Sequence, residues 1–183
     1  MEPVYLLRHG EADYGLIRDR NWPGATADLA PLTALGIRQA AQAARQLAAL
    51  GATQIVSSPM TRALQTAAIV ASSLGIPVAV EFDLREWLPD DTFSWRSHAD
   101  VVAAVDDLDR CGGEWPAGQR RRWEPLSLVR ERAMAALARS AAQLDDGAVL
   151  VAVCHEMVIR AVTGERHTRT GEFRRAQRAD LLR

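Results

Sequence analysis

The stretch that decides how this chain reads is Val4-Tyr5-Leu6-Leu7-Arg8-His9-Gly10-Glu11-Ala12. Four apolar residues in a row, just after Pro3, predict a short strand buried on both faces. Arg8-His9-Gly10 falls where that strand must stop. In open α/β sheets, ligands bind beyond the carboxyl ends of the strands, so a charged pair followed by glycine is placed to face one. Gly10 lets the backbone turn sharply there. An isolated Arg-His-Gly is equally an ordinary polar turn, and the remaining sequence has to decide between the two.

Working outward, Ala12 to Pro31 is polar and reads as a long irregular loop leaving the strand. Thr33 caps a helix whose apolar repeat runs through Leu35, Ile37, Ala40, Ala44, Leu47 and Leu50 to Gly51. Thr53 to Val56 is a second short strand, and Ser57-Ser58-Pro59 leads into a helix over Met60 to Leu74, with Pro59 expected in its first turn. Val78 to Val80 is a third strand. Phe82 to Trp123 breaks the pattern, with a short helix over Ala99 to Leu108. A long helix follows from about Pro125 to Leu144, then the strongest strand, Ala148 to Val153, and a helical stretch from Met157 to Val162. The last twenty or so residues are polar and rich in arginine. Alternating strands and helices predict an α/β protein, a three-layer α/β/α sandwich on a mostly parallel central sheet. The stretch of about residues 87–123 reads as a helical and loop insertion, or lid, over the active site.

A chain of 183 residues suits a single domain spanning 1–183. A formal net charge of −1 argues against a chain-wide basic surface, so no nucleic-acid partner is expected. No apolar run approaches the ~20 residues needed to cross a bilayer, and no leader is visible, so no membrane partner is expected. Cys111 and Cys154 stand far apart without a second thiol nearby, which fits a cytoplasmic protein. All 22 basic residues are arginine. That excludes lysine chemistry, both Schiff-base formation and a P-loop, and means that any anion site is built from guanidinium groups, histidine and backbone amides. Nothing in the pattern sets an oligomeric state.

Two strands end in a histidine, His9 and His155, and a parallel sheet would bring both to one rim. Arg62 belongs with them, since Ser57 to Ala67 puts it in the first turn of a helix that follows a strand. Two arginines, two histidines and a helix N-terminus make a pocket for a compact dianion, with phosphate the obvious candidate.

With Leu7-Arg8-His9-Gly10-Glu11, Leu32-Thr33-Ala34-Leu35-Gly36-Ile37-Arg38-Gln39-Ala40, Ser57-Ser58-Pro59 to Ala67, and Val153-Cys154-His155 in this order, the chain resembles the histidine phosphatase superfamily, the phosphoglycerate mutase-like proteins. The resemblance implies that His9 is the nucleophile of a metal-independent phosphomonoester hydrolase, carrying the phosphoryl group as phosphohistidine. It implies that Arg8, Arg62 and His155 bind and neutralise that group, and that no cofactor is needed. For the proton donor it offers two residues. Glu86, in Asp83-Leu84-Arg85-Glu86-Trp87, matches the mutase-like branch, in which a glutamate follows the third strand. Glu156 after His155 resembles the histidine-acid pair of the acid phosphatase branch, and it could equally be a helix-start carboxylate contacting the phosphate. Glu86 is the preferred reading.

The family's mutases generally place a serine and then a tryptophan-asparagine pair after Arg-His-Gly-Glu; here those places hold Ala12, Tyr14 and Gly15. That favours a small hydrolase acting on a phosphorylated metabolite. A mutase-type phosphoryl transferase, a phosphohistidine protein phosphatase with a phosphoprotein substrate, and a non-catalytic binder of phosphorylated ligands are the alternatives. Asp90-Asp91 in the insertion would repel an anionic leaving group and Arg120 to Arg122 would attract one; the sequence leaves open which pair faces inward.

Overall fold

The computed structural model describes residues 3–145 and 147–177. Five strands form one sheet in the order β3-β2-β4-β1-β5: β1 Pro3–Arg8, β2 Ala52–Ser57, β3 Val78–Val80, β4 Val149–Cys154 and β5 Phe173–Gln177. All neighbouring pairs are parallel except β1 and β5. The two apolar runs of the sequence, β1 and β4, lie side by side in the middle, with Arg8 opposite Cys154.

Because successive residues of a strand point to opposite faces, each central strand feeds two cores. Tyr5, Leu7, Val149, Val151 and Val153 meet Ala43, Ala44 and Leu47 of α2 (Ala34–Ala49) and Ala63, Ala67 and Val70 of α3 (Thr61–Leu74). Val4, Leu6, Leu150, Ala152 and Cys154 meet Val129, Ala133 and Leu137 of α5 (Leu126–Ala142) and Val158 and Ile159 of α6 (Glu156–Thr163). The three layers expected from the alternation are therefore present.

The insertion shares the second core. Its helix α4 (His98–Arg110), started by a capping box between Ser97 and Asp100, contributes Leu108, and the flanking loops contribute Trp87 and Trp123. Each indole N–H is used internally: Trp87 donates to Glu124 O, Trp115 to Trp123 O and Trp123 to Asp107 Oδ2. These aromatics are packing residues. Phe93, in contrast, stands exposed at φ 56°, and Trp95 beside it packs on Gly24, where a Cβ would strike the indole.

Three local expectations need correction. The Ala12–Pro31 segment is not irregular: it holds α1 (Tyr14–Arg18), whose Leu16 amide is capped by Asp13, and a 3₁₀ turn at Gly24–Leu29. Pro59 lies outside its helix, since Met60 is the cap residue of α3 and its amide donates to Ser58 Oγ. The arginine-rich tail contains β5, an antiparallel edge strand.

Candidate active site

The site grows from the ends of three parallel strands. His9 follows β1 and its amide donates to Cys154 O of β4 at 3.1 Å. His155 follows β4, so the two imidazoles stand side by side, ring centroids 5.1 Å apart and tilted by 60°. On the other side of β4, the Ser58 amide donates to Val153 O, and Ser58 Oγ lies 2.8 Å from His155 Nε2. The strand-end placement of His9 and His155 is thus a direct result of the β1–β4 pairing.

Backbone contact fixes the turn after His9. At Gly10 an added Cβ would run into the backbone of Gly36, and one at Gly36 would run into that of Glu11. Thr33 locks this close approach, capping α2 through the Gly36 amide while its hydroxyl donates to Glu11 Oε1 and its own amide donates to Glu11 O. Gln39 Oε1 accepts from the Glu11 amide. From α3, Thr66 Oγ1 accepts from the Gly10 amide and Gln65 Oε1 from the Leu32 amide. The motif segments of the sequence are, in physical terms, the brace around one loop.

That brace sets the state of His9. Its Nδ1 lies 2.7 Å from Gly10 O, a group that only accepts, so Nδ1 carries the proton. Nε2 then presents a lone pair, and Arg62 Nε donates to it at 3.2 Å. Burial, and next the Arg62 and Arg8 cations, lower the His9 pKa to about 3 against the Gly10 hydrogen bond, so the ring is neutral near pH 7. His155 is driven the same way, well below its ordinary value, by burial and then by Arg62.

Arg62 is 3% exposed and reaches Ala27 O and Met60 Sδ as well as His9, with Asp28 Oδ1 at 3.8 Å and the Tyr14 ring 5.8 Å away. Arg8 donates through Nη1 to Thr168 O at 2.6 Å and pairs with Glu156 Oε2 at 2.8 Å. Among the described residues, three buried side-chain polar atoms have no hydrogen-bond partner: Arg8 Nε, His155 Nδ1 and Thr168 Oγ1. Buried polar atoms are ordinarily satisfied. Two of these three belong to the residues expected to hold an anion.

The two candidate carboxylates sit differently. Glu86 accepts from the Trp87 amide and feels the Arg62, Arg8 and Arg132 charges, yet burial outweighs these and pushes its pKa above the usual value. Glu156 heads α6 and is engaged by Arg8, with His167 Nδ1 3.6 Å away. The question of the insertion's charges has an answer that sequence could not give. Arg120 pairs with Asp91 at 2.5 Å, Arg122 with Asp90 at 3.4 Å and Arg121 with Asp107 at 3.3 Å.

Several participants escaped sequence reasoning. Ser58 and Thr66 lay inside a quoted motif but carried no sign of which atom they would hold. Tyr14 stood only as a departure from the mutase pattern, and Asp28 and Thr168 had no motif at all; only their nearness in space to Arg62 or Arg8 marks them.

A mostly parallel sheet with two histidines and two arginines gathered on its carboxyl rim defines an α/β protein with a cationic, histidine-bearing site. The family model of the histidine phosphatase superfamily (branch 1) matches residues 4–179, and the chain belongs to that superfamily. Among curated proteins it is similar to the probable phosphoglycerate mutase GpmB of Cronobacter sakazakii, 33% identical over 161 residues covering 87% of this chain and 72% of that one. Its match to the protein of the same name from Proteus mirabilis is 40% identical over 86 residues, 47% of this chain and 38% of that one. Among solved structures it resembles a mycobacterial glucosyl-3-phosphoglycerate phosphatase in complex with inorganic phosphate, with a TM-score of 0.68 and 26% identity over 90% of this chain and 78% of that one. A putative α-ribazole-5′-phosphate phosphatase from Escherichia coli gives 0.62 and 25%, over 88% and 77%. No helix among the described residues is long and apolar enough to cross a membrane.

Proposed function

We propose that this protein hydrolyses phosphomonoesters of small metabolites through a phosphohistidine on His9. The observation that carries the reading is the His9 ring itself, neutral, with its proton tied to Gly10 O and its Nε2 lone pair beside Arg62. In the first half-reaction Nε2 attacks phosphorus, the ester P–O bond breaks, and Glu86 gives its proton to the leaving oxygen. A carboxyl group whose pKa burial raises suits that task. In the second half Glu86 takes a proton from water, the hydroxide displaces His9, and phosphate departs. Arg8, Arg62 and His155 hold the transferring group. A His155 tautomer with Nδ1 protonated and Ser58 donating to Nε2 turns an unpartnered atom into a donor for a phosphoryl oxygen. This charge set performs the stabilisation on which phosphoryl transfer depends, with no metal in the scheme. Glu156, bound to Arg8, orients that arginine within the phosphate-binding set.

The mutase reading is favoured by the GpmB relatives. Hydrolysis is preferred because a mutase must grip a second anionic group of its substrate, and the arginines at the end of the insertion are already engaged by Asp90, Asp91 and Asp107. We place the protein in the cytoplasm, where its two free cysteines remain reduced.

The test is phosphate release from p-nitrophenyl phosphate in excess chelator by wild type and His9→Ala, with conversion of 3-phosphoglycerate to its isomer followed in parallel. Release by wild type alone is expected. Equal release by His9→Ala, or loss of activity on chelation, refutes the mechanism, and efficient isomerisation exceeding hydrolysis replaces it with the mutase reading.

A further inference from the structure

We infer that Arg132 and Glu124 form a clamp that positions Glu86 for proton transfer, an inference resting on the reading of Glu86 as the donor. Arg132 comes from α5, on the sheet face that carries the insertion. It inserts its guanidinium under the backbone that precedes Glu86: Nη1 donates to Asp83 O at 2.6 Å and Arg85 O at 2.8 Å, and Nη2 to Glu86 O at 3.3 Å. Three carbonyls from a four-residue stretch, those of Asp83, Arg85 and Glu86, are thereby gathered on one planar fork, a geometry that an ammonium cannot reproduce.

Glu124 holds the fork from behind. Its Oε1 accepts from Arg132 Nε at 2.7 Å and its Oε2 from Nη2 at 3.0 Å. The same carboxylate takes both Nη atoms of Arg85 at 3.1 Å and the Leu88 amide at 3.3 Å, while Glu124 O accepts from the Trp87 indole. Residues 85, 86, 87 and 88 are therefore each bonded to Glu124 or Arg132. Both side chains are about one-tenth exposed, so these are water-poor, charge-assisted bonds. The segment that carries the donor has no helix or strand of its own; β3 ends at Val80 and the 3₁₀ turn at Phe82–Leu84 stops just before it. Two side chains perform the fixing that regular structure does not. A proton donor must lie within hydrogen-bond reach of the leaving oxygen, so loosening this segment slows only reactions that need the proton.

Arg132→Lys, Arg132→Met and Glu124→Gln are compared with wild type and Glu86→Gln on p-nitrophenyl phosphate, whose leaving group departs unprotonated, and on a simple alkyl phosphate, whose leaving group does not. The clamp variants should lose at least about tenfold in kcat on the alkyl phosphate, a fraction of the ~10²–10⁴ that general acid catalysis supplies. Their kcat on the aryl phosphate should stay within about threefold, with KM little changed on both, and that turnover also shows that they fold. Should Arg132→Met fail to fold, Arg132→Lys and Glu124→Gln carry the comparison. A parallel loss on both substrates means a merely structural role and overturns the clamp, as does no loss on either. If Glu86→Gln itself shows no dependence on the leaving group, the donor reading fails and the clamp with it. If Glu86→Gln shows that dependence and the clamp variants do not, the clamp alone fails.

Discussion

Holding His9 neutral has a thermodynamic consequence that can be measured without any substrate. Folding lowers its pKa from 6.5 to about 3. As pH falls below 6.5 the unfolded chain takes up a proton that the folded protein refuses, so stability is lost progressively between about 6.5 and 3. For one group with these two values the loss is about 0.2 kcal/mol at pH 7 and about 2 kcal/mol at pH 5, since each unit of differential binding is worth about 1.4 kcal/mol. The ring is 4% exposed, so solvent screening reduces this little. The perturbation is His9→Asn, which removes the titration and keeps a donor near Gly10 O. Urea unfolding of both proteins at pH 7 and pH 5 gives the wild-type stability advantage at each pH; His155 is present in both, and burial and Arg62, the main causes of its lowered pKa, are retained in both. That advantage should shrink by about 2 kcal/mol at the lower pH. A difference unchanged within about 0.5 kcal/mol would show that His9 titrates normally and would remove the basis for a neutral nucleophile.

Two further outcomes test the brace and the arginine. Gly36→Ala, in spite of the roughly 1 kcal/mol that alanine ordinarily contributes within a helix, should destabilise by about 2 kcal/mol or more, because its Cβ meets the backbone of Glu11; the urea midpoint reads this. Glu156→Gln should lower kcat/KM on aryl and alkyl phosphates alike, by about tenfold, since it deprives Arg8 of its charged partner. A selective loss on the alkyl phosphate alone would instead make Glu156 the proton donor.

The sheet was legible where a strand is buried on both faces. Val4 to Leu7 and Val149 to Val153 read as continuous apolar runs, and their adjacency then places His9 and His155 together. β5 was not legible because an edge strand need bury only one face and one side. Phe173 packs on Tyr5, but Arg174 and Arg175 give it the look of a polar tail. α1 is five residues long and carries a single buried side chain, Ile17, too little for any periodicity to show. Arg8 and Arg62 could be picked out because one ends a strand and the other lies in the first turn of the helix that follows one. Arg132 could not, since it sits in the middle of a long helix whose pattern accounts for it as a solvent-facing residue.

The insertion shows most clearly why charge in a sequence does not translate into charge at a site. Asp90-Asp91 and Arg120 to Arg122 are some thirty residues apart, and each alone suggests a preference for one kind of leaving group. In space they face each other across the neck of the insertion, where the Asp91 amide donates to Arg122 O and the Glu124 amide to Leu88 O. The neck is closed by backbone bonds within, by the Trp87 indole and Glu124 at its base, and by ion pairs at its rim. Exposed ion pairs of this kind contribute at most about 1 kcal/mol each, so their effect on folding is small. On the proposed reading their effect on chemistry is larger, because they cancel charges that would otherwise sort substrates. On that reading, discrimination among phosphate esters then falls to uncharged groups beside the phosphate-binding set, such as Tyr14, whose ring lies 5.8 Å from the Arg62 guanidinium, so apolar shape rather than charge should decide which ester is turned over.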